Sequence, residues 1–435
     1  MQSNTMMEIP AIETKPAAII HQFQTKKLQE LIQYLAKNAP FYQRLFNTHG
    51  IQPAEIQSLE DLRKIPLTSK EDLQQYNDDF ICVDRRKIID YVTTSGTMGK
   101  PITFALTDKD LDRLAYNEAT SFASAGVTED DILLLTTTID RRFMAGLAYF
   151  LGARKLGAGI VRVGSGLPAL QWDTINRVSP TTLIAVPSFI FKLIAYAKKQ
   201  GIDYQNSSIK KAVCIGESLR NPDFTLNTLG QKITDLWDIE LYSTYASTEM
   251  STAFTECNQG RGGHHHPELI IVEILDEQGN ACKEGEAGEV VISTLGMEAM
   301  PLLRFKTGDI CQWHQDDCKC GRTTLRLGPV IGRKKQMIKY KGTTIYPPAL
   351  YNLLNEFEAI SAFVIEVFTN EIGTDEIIVK AASKEASLLF EKRIKDHFRA
   401  KLRVAPKVEF MDFEIINKLR FPEMSRKPVL FFDKR

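Results

Sequence analysis

The sequence predicts an α/β protein. Its large first domain is built on a mostly parallel, helix-covered sheet with a strand-rich subdomain, and a small α+β domain follows. Three observations carry this. Between residues 105 and 250, short continuous apolar runs alternate with segments of helical period. Strands that are apolar at every position are buried on both faces, as in parallel sheets wrapped by helices. From 269 to 345 the chain turns strand-rich, and from about 360 onward two strands, a helix and a further strand make up the second domain. At 435 residues the chain exceeds what one core supports. The domains divide as 1–332 and 333–435, at the charged stretch Gly332-Arg333-Lys334-Lys335-Gln336 between two apolar segments.

Taken in order, residues 20–80 read as helical, with Leu28, Leu31, Ile32 and Leu35, then Phe41, Tyr42, Leu45 and Phe46, at three- and four-residue spacing. Thr68 or Ser69 caps a further helix entry. Helices are expected over 108–125, 145–155, 170–178 and 189–199, with strands at 131–136, 159–163, 182–186 and 211–215. Further strands are expected at 269–274, 288–293 and 338–346. In the second domain, strands at 363–368 and 376–381 precede a helix over 386–402 and a strand over 407–416. Ligands on a parallel sheet sit at the carboxyl ends of its strands, so the loops after Ile215 and before Thr248 are where a site is expected.

Composition excludes several classes. Lys+Arg and Asp+Glu both number 54, a balance that points to no nucleic-acid or membrane-surface partner. No apolar run reaches ~18 residues, so no membrane-spanning helix is expected. Seven cysteines without a secretory leader point to a reducing cytoplasm.

The stretch Tyr91-Val92-Thr93-Thr94-Ser95-Gly96-Thr97-Met98-Gly99-Lys100-Pro101 combines hydroxyls, two glycines and a lysine in one loop. Glycines free the backbone N–H groups to face inward, and with hydroxyls and an ammonium group these are the parts that hold a polyphosphate. Two residues separate Gly96 and Gly99, and Pro101 follows Lys100, so this is not a Walker A loop. Gly216-Glu217-Ser218 follows a predicted strand where a small residue lets a flat ring approach. Tyr245-Ala246-Ser247-Thr248-Glu249 offers an aromatic face, hydroxyls and a carboxylate. Lys306-Thr307-Gly308-Asp309 places a carboxylate on a tight turn suited to vicinal hydroxyls, and Ser425-Arg426-Lys427-Pro428 puts a lysine near the end. Cys257 and His264, followed by Cys318 and Cys320, form a Cys₃His set suited to a closed tetrahedral zinc site.

In this order and spacing the motifs resemble the adenylate-forming superfamily of acyl-CoA synthetases, luciferases and adenylation domains, and within it the phenylacetate–CoA ligase family. The resemblance runs from about residue 25 to the end. It implies an ATP-dependent ligase that joins an aryl or arylacetic acid to coenzyme A through an acyl-adenylate, releasing AMP and pyrophosphate. Rival readings are a relative that uses another acceptor, such as a carrier-protein thiol, and a nucleotide-binding homologue without turnover. The resemblance assigns Ser95, Gly96, Thr97, Gly99 and Lys100 to the β,γ-phosphates. It assigns Gly216, Glu217, Tyr245, Ala246, Ser247 and Thr248 to the adenine and α-phosphate, and Glu249 to Mg²⁺. Asp309, helped by Arg333, would bind the ribose. Lys427 would bridge the acid and the α-phosphate, and Gly342 would make room for the coenzyme A arm. Thr97, Glu249 and Lys427 are the catalytic set. Lys335 would be the hinge of a mobile second domain, the zinc would be structural, and a homodimer is compatible with the family. Some members share the Cys…His…Cys-x-Cys-Gly-Arg pattern; His265 is the nearest substitute ligand, with Cys311 and His314 further candidates. Thr138-Ile139-Asp140-Arg141-Arg142-Phe143 departs from the glycine- and aromatic-rich run of relatives, and its arginines suit a second carboxylate or a solvated loop. Phe143, Val186-Pro187-Ser188 and Met250 are expected pocket walls.

Overall fold

The computed structural model describes residues 7–94, 102–340, 343–370, 375–422 and 428–435. The chain divides into two units. The first holds Met1–Thr225, Lys232–Thr307 and Cys311–Pro329; the second holds Leu226–Gln231, Gly308–Ile310 and Val330–Arg435.

The first unit opens with helices α1 (Ala17–Asn38), α2 (Pro40–His49) and α3 (Lys70–Gln75). Leu28, Leu31, Ile32 and Leu35 are buried along α1, as their spacing predicts. The expected helical stretch is interrupted after Gly50, where Pro53 and Pro66 leave only short 3₁₀ turns before α3. Ser69, not Thr68, caps α3 in a reciprocal box with Asp72; the Thr68 hydroxyl donates to the Leu303 carbonyl at 2.9 Å. Antiparallel strands β1 (Ile88–Thr93) and β2 (Thr103–Thr107) form a hairpin, and β2 runs into α4 (Asp108–Ser124) through a Thr107–Asp110 capping box.

The expected alternation follows: β3 (Ile132–Leu135), α5 (Met144–Leu156), β4 (Gly159–Arg162), α6 (Pro168–Val178), β5 (Thr182–Ala185), α7 (Pro187–Gln200) and β6 (Lys211–Ile215). The chain then adds α8 (Thr228–Leu236), β7 (Glu240–Ser247) and β8 (Thr252–Thr255). Sheet order is β4-β3-β5-β6-β7-β8. Pairings are parallel as far as β7, and β8 returns antiparallel. Leu133, Leu135, Ile184, Val213 and Ile215 build a core with Phe122 of α4 and Tyr149 of α5.

A second sheet runs β10-β11-β12-β13-β9, from β9 (Gly263–His264), β10 (Ile270–Leu275), β11 (Ala287–Thr294), β12 (Phe305–His314) and β13 (Arg326–Leu327). Here one expectation is corrected. Lys306-Thr307-Gly308-Asp309 is no tight turn but lies inside β12, where Gly308 at φ +78° kinks the strand without reversing it.

The charged stretch Gly332–Gln336 lies in the second unit. It forms β14 (Gly332–Arg333) and a 3₁₀ turn, with Arg333 opposite Asp309. The single strand expected over 338–346 is a pair, β15 (Ile338–Tyr340) and β16 (Thr343–Ile345). Then come α9 (Pro347–Asn355), β17 (Ile360–Thr369), β18 (Asp375–Ser383), α10 (Leu388–Leu402), β19 (Lys407–Phe410), α11 (Phe413–Arg420) and β20 (Phe431–Asp433), in a sheet ordered β19-β18-β17-β20. Residues 407–416 do not form one strand. The chain leaves the sheet after Phe410, and Ile416 of α11 packs with Ala362, Val364 and Ala382 on one sheet face. On the other face Ile365, Val367 and Val379 meet Phe390, Ile394 and Phe398 of α10.

Glu118 of α4 is buried in the first unit, and its carboxyl accepts a hydrogen bond from the Asn117 amide at 3.1 Å. Burial raises its pKa to about 8, with His266 pulling it part of the way back. Between its unfolded value and about 8, the folded chain keeps a proton that the unfolded chain has lost. Stability from this group is therefore full at acid pH and is lost as pH rises through that window, by up to about 1.4 kcal/mol per unit. Glu118→Gln is expected to flatten the fall of the urea midpoint between pH 5 and 8. An unchanged slope would clear Glu118.

Candidate active site

Parallel strands β3, β5, β6 and β7 send their following loops to one edge of the first sheet. Gly216 follows β6 at φ +75°. Next to it, the Glu217 carboxylate accepts hydrogen bonds from the Ser188 N–H (2.9 Å) and hydroxyl (2.8 Å). It therefore caps the positive end of α7, which leaves backbone as the main thing this loop offers a ligand. Tyr245, Ala246 and Ser247 end β7, with the Tyr245 ring stacked 6.0 Å from that of Phe254. Thr248 and Glu249 lie in the turn that follows, half-buried, and the Ser247 hydroxyl accepts the Met250 N–H at 3.2 Å. The structure thus brings Gly216, Glu217 and Tyr245–Glu249 together in the loops of two neighbouring strands.

Sequence reasoning missed what holds this turn. Arg113 of α4 is buried and donates to four acceptors: the carbonyls of Ser251 (2.6 Å), Leu295 (2.7 Å) and Leu269 (2.5 Å), and the Thr252 hydroxyl (3.1 Å). Ser251 sits at φ +46°, a strained position for a residue with a side chain. Nothing in Asp108-Lys109-Asp110-Leu111-Asp112-Arg113 marks this arginine as other than a solvated one.

The β1–β2 hairpin meets the same edge. The Thr93 N–H donates to the Arg142 carbonyl at 3.0 Å, tying the hairpin to the loop after β3. At its neck, the Thr94 N–H donates to the Ile102 carbonyl (3.0 Å), and the Ile102 N–H donates to the Thr94 hydroxyl (3.1 Å). Ser95, Gly96, Thr97, Gly99 and Lys100, which the hairpin carries, lie outside the described residues, as do Gly342 and Lys427. Arg141 and Arg142 are exposed, and both stand in left-handed backbone (φ +57° and +59°), in a turn closed by Phe143 N–H to Asp140 carbonyl at 3.2 Å. Of the expected pocket walls, Met250 is fully buried.

In the second unit, Asp309 is nearly buried and faces Arg333 across paired strands, with Arg333 Nε 3.2 Å from Asp309 Oδ1.

Cys257, His264, Cys318 and Cys320 come together in the first unit, with ligand atoms all within 4.8 Å of one another. Cys257 Sγ lies 3.6 Å from Cys318 Sγ, and Cys320 Sγ lies 3.4 Å from His264 Nε2. A tetrahedron with Zn–S of about 2.3 Å and Zn–N of about 2.0 Å has edges of about 3.8 and 3.5 Å, so the four donors fit zinc. The Thr324 hydroxyl stands 3.5 Å from His264 Nδ1, leaving Nε2 toward the sulfurs. A hydrogen bond with the Cys257 thiol, followed by one with His264, holds the Cys320 thiol far below its usual range. Gly263 is needed before His264, because a Cβ there would stand 2.3 Å from the Phe254 carbonyl oxygen. His265 is not in the cluster; its Nε2 lies 2.6 Å from the Ile270 carbonyl. Cys311 and His314 also fall outside it.

Glu13, which sequence reasoning also passed over, is fully buried between His266 Nδ1 (2.5 Å) and Arg322 Nε (2.6 Å). With Glu268 it forms a second acidic and histidine group. A 2.5 Å contact is a hydrogen bond, shorter than the separation of two ligands on one ion, and Arg322 already neutralises the other oxygen. These residues therefore pin the N-terminal segment to the segments that carry the Cys₃His cluster. The Thr323 N–H to Glu13 carbonyl bond at 2.9 Å adds to this. Cys318→Ser is expected to lower zinc content by at least half and to reduce the melting temperature by several degrees. Unchanged zinc stoichiometry by plasma mass spectrometry would remove Cys318 from the ligand set.

Comparison with known proteins places this geometry. The family model described as AMP-binding enzyme matches residues 13–299. The phenylacetate-coenzyme A ligase of Thermus thermophilus is 30% identical over 385 residues, covering 87% of this chain and 85% of that protein. The phenylacetate-coenzyme A ligase of Escherichia coli K12 is 28% identical over 450 residues, covering 100% of this chain and 99% of that one. The crystal structure of 2-hydroxyisobutyryl-CoA ligase in the postadenylation state superposes with a TM-score of 0.87 at 24% identity. It covers 100% of this chain and 94% of that one, and at this identity the likeness speaks for the fold.

Proposed function

This chain belongs to the AMP-binding enzyme family, in its phenylacetate–CoA ligase branch, and we propose that it joins an aryl or arylacetic acid to coenzyme A. It is an AMP-forming acid–CoA ligase that uses ATP and a small carboxylic acid and works through an acyl-adenylate. In the first half-reaction a carboxylate oxygen bonds to the α-phosphorus and the bond to pyrophosphate breaks. In the second, the coenzyme A sulfur bonds to the acyl carbon, AMP leaves and the thiol proton is released.

The observation that carries the site reading is that Gly216–Ser218 and Tyr245–Glu249 occupy neighbouring loops at the carboxyl edge of the sheet, with the β1–β2 hairpin tied to the same edge. Backbone around Gly216 and the Tyr245 ring suit a flat base. Ser95, Gly96, Thr97, Gly99 and Lys100 would hold the outer phosphates, and Glu249 would hold a magnesium ion, whose charge offsets the leaving pyrophosphate. Asp309, oriented by Arg333, suits the ribose hydroxyls. Lys427 would offset repulsion between the acid and the α-phosphate, Gly342 would admit the pantetheine arm, and Lys335 would be the hinge between half-reactions. Zinc at the Cys₃His set would be structural, since four protein donors leave no open position.

The acid class follows the relatives' printed activity. The Arg141–Arg142 turn adds two cations in the loop after β3, so acids with a second polar group are included. Seven cysteines, none of them in a disulfide among the described residues, fit a reducing cytoplasm. No described helix is long and apolar enough to cross a membrane. The test is AMP release with and without coenzyme A across aromatic, indolic and dicarboxylic acids. Expected is multiple-turnover AMP release with an arylacetic acid only when coenzyme A is present, matched by thioester. No AMP release with any acid would overturn the reading, and release that needs a carrier protein instead would transfer it to the other acceptor.

A further inference from the structure

One buried ion pair joins the loop after β6 to the segment that carries Cys257 and His264. Arg220 Nε lies 2.7 Å from Glu256 Oε1, with the side chains only 13% and 3% exposed. Glu256 immediately precedes Cys257, and its other oxygen accepts the Ser243 N–H of β7 at 3.0 Å. Its carboxylate also accepts the Gly262 N–H, next to β9 and His264. On the other side, Arg220 Nη1 donates to the Phe224 carbonyl (3.0 Å), and the Arg220 carbonyl accepts the Ser218 hydroxyl (3.1 Å). The guanidinium lies against Gly260, where a Cβ would stand 2.6 Å from Nη2. The loop Gly216–Arg220 is thus fixed at one end by Glu217 on the start of α7, and at the other by a carboxylate whose backbone belongs to the metal-binding segment.

A buried ion pair tolerates little displacement, because each charge has left water and depends on its partner. Three thiols and an imidazole drawn to one cation fix where Cys257 and His264 stand, and so fix Glu256 between Ser243 and Gly262. We propose that the Arg220–Glu256 pair couples the Cys257–His264–Cys318–Cys320 metal site to the Gly216–Arg220 loop, so that metal occupancy sets the affinity for adenine nucleotide. This rests on the reading of that loop as part of the nucleotide site. Arg220 and Glu256 are positioning residues that act through the loop backbone. Linkage is reciprocal, so bound nucleotide must in turn hold the metal.

The test uses the zinc-loaded protein and AMP. Titration calorimetry of loaded and chelator-stripped wild type, with zinc content measured alongside, is expected to show AMP binding weakened about tenfold on stripping, within the usual range of coupled sites. Loaded Arg220→Lys, which keeps the charge but loses the fork, is expected to be weakened similarly, and stripping it should add less than twofold. Equal AMP affinity with and without zinc, or fully additive effects of stripping and substitution, overturns the proposal. Where stripping unfolds the chain, the readout is zinc extraction by a chromophoric chelator from the folded protein. Saturating AMP should slow it about tenfold in wild type and not in Arg220→Lys; identical rates in wild type overturn the coupling. AMP binding indifferent to zinc defeats the coupling alone. No AMP binding to the loaded wild type defeats the nucleotide reading with it.

Discussion

Lys427→Ala is expected to reduce acyl-adenylate formation by about three orders of magnitude while leaving thioester formation from supplied acyl-adenylate within a few-fold of wild type. The asymmetry follows from charge. In the first half-reaction a carboxylate must approach a phosphate that is also anionic. Two unit charges about 4 Å apart interact by about 4 kcal/mol at an effective dielectric constant of 20, which is close to a thousandfold in rate. A lysine at the reacting oxygens, the role proposed for Lys427, would remove that term. In the second half-reaction sulfur attacks a neutral carbonyl carbon, and no two anions are forced together. Pyrophosphate exchange measures the first step, and single turnover from synthetic acyl-adenylate plus coenzyme A measures the second. Equal loss in both would deny Lys427 its role. In Arg426-Lys427-Pro428 a second cation is adjacent, so Arg426→Ala is the control; if it, and not Lys427→Ala, removes exchange, the assignment moves by one residue.

The parts of this fold that were legible in the sequence are those whose physics is local. Leu133-Leu134-Leu135 and Leu183-Ile184-Ala185 are buried on both faces, so they show up as unbroken apolar runs. β7 was not read because Glu240-Leu241-Tyr242-Ser243-Thr244-Tyr245 has polar residues on partly covered positions beside an antiparallel edge. The start of α11 reads as strand in the sequence because Phe413, Ile415 and Ile416 fit either period, and only the sheet face under Ile416 decides between them. The Cys257–His264–Cys318–Cys320 cluster was legible because each half, Cys257 to His264 and Cys318 to Cys320, is a short-range spacing. Glu13 was not: its partners His266 and Arg322 stand 253 and 309 residues away. Glu217 illustrates a different gap. The motif drew attention to the residue, but only the contact with Ser188 shows that the carboxylate serves the helix start.

Arg113→Met is expected to cost about 3–5 kcal/mol of stability and, in whatever protein remains folded, to raise the magnesium requirement of adenylation. Its guanidinium is buried, and burial lowers its pKa to about 10, so it is still charged at neutral pH. Removing it strips the Ser251 and Leu295 carbonyls of the guanidinium donor in a buried place and leaves the Leu269 carbonyl with the Leu295 N–H (2.7 Å) in its stead, at about 1–3 kcal/mol for each group that cannot relax. For a chain of 435 residues that is a fall of about 3–5 °C in melting temperature. The functional part follows from Ser251, whose left-handed backbone is two residues after Glu249 and is held by Arg113 Nη1 at 2.6 Å. Released, this residue relaxes toward ordinary backbone and swings the Thr248–Met250 turn with it, so Glu249 no longer presents its carboxylate in one place. Arg113→Lys separates the two effects. A lysine keeps the buried charge and reaches one or two of the four acceptors, so most of the stability should return while the magnesium dependence of pyrophosphate exchange stays shifted by several-fold. If Arg113→Lys restores both together, Arg113 serves the fold alone; if Arg113→Met melts within a degree of wild type, its four hydrogen bonds are not what holds that turn.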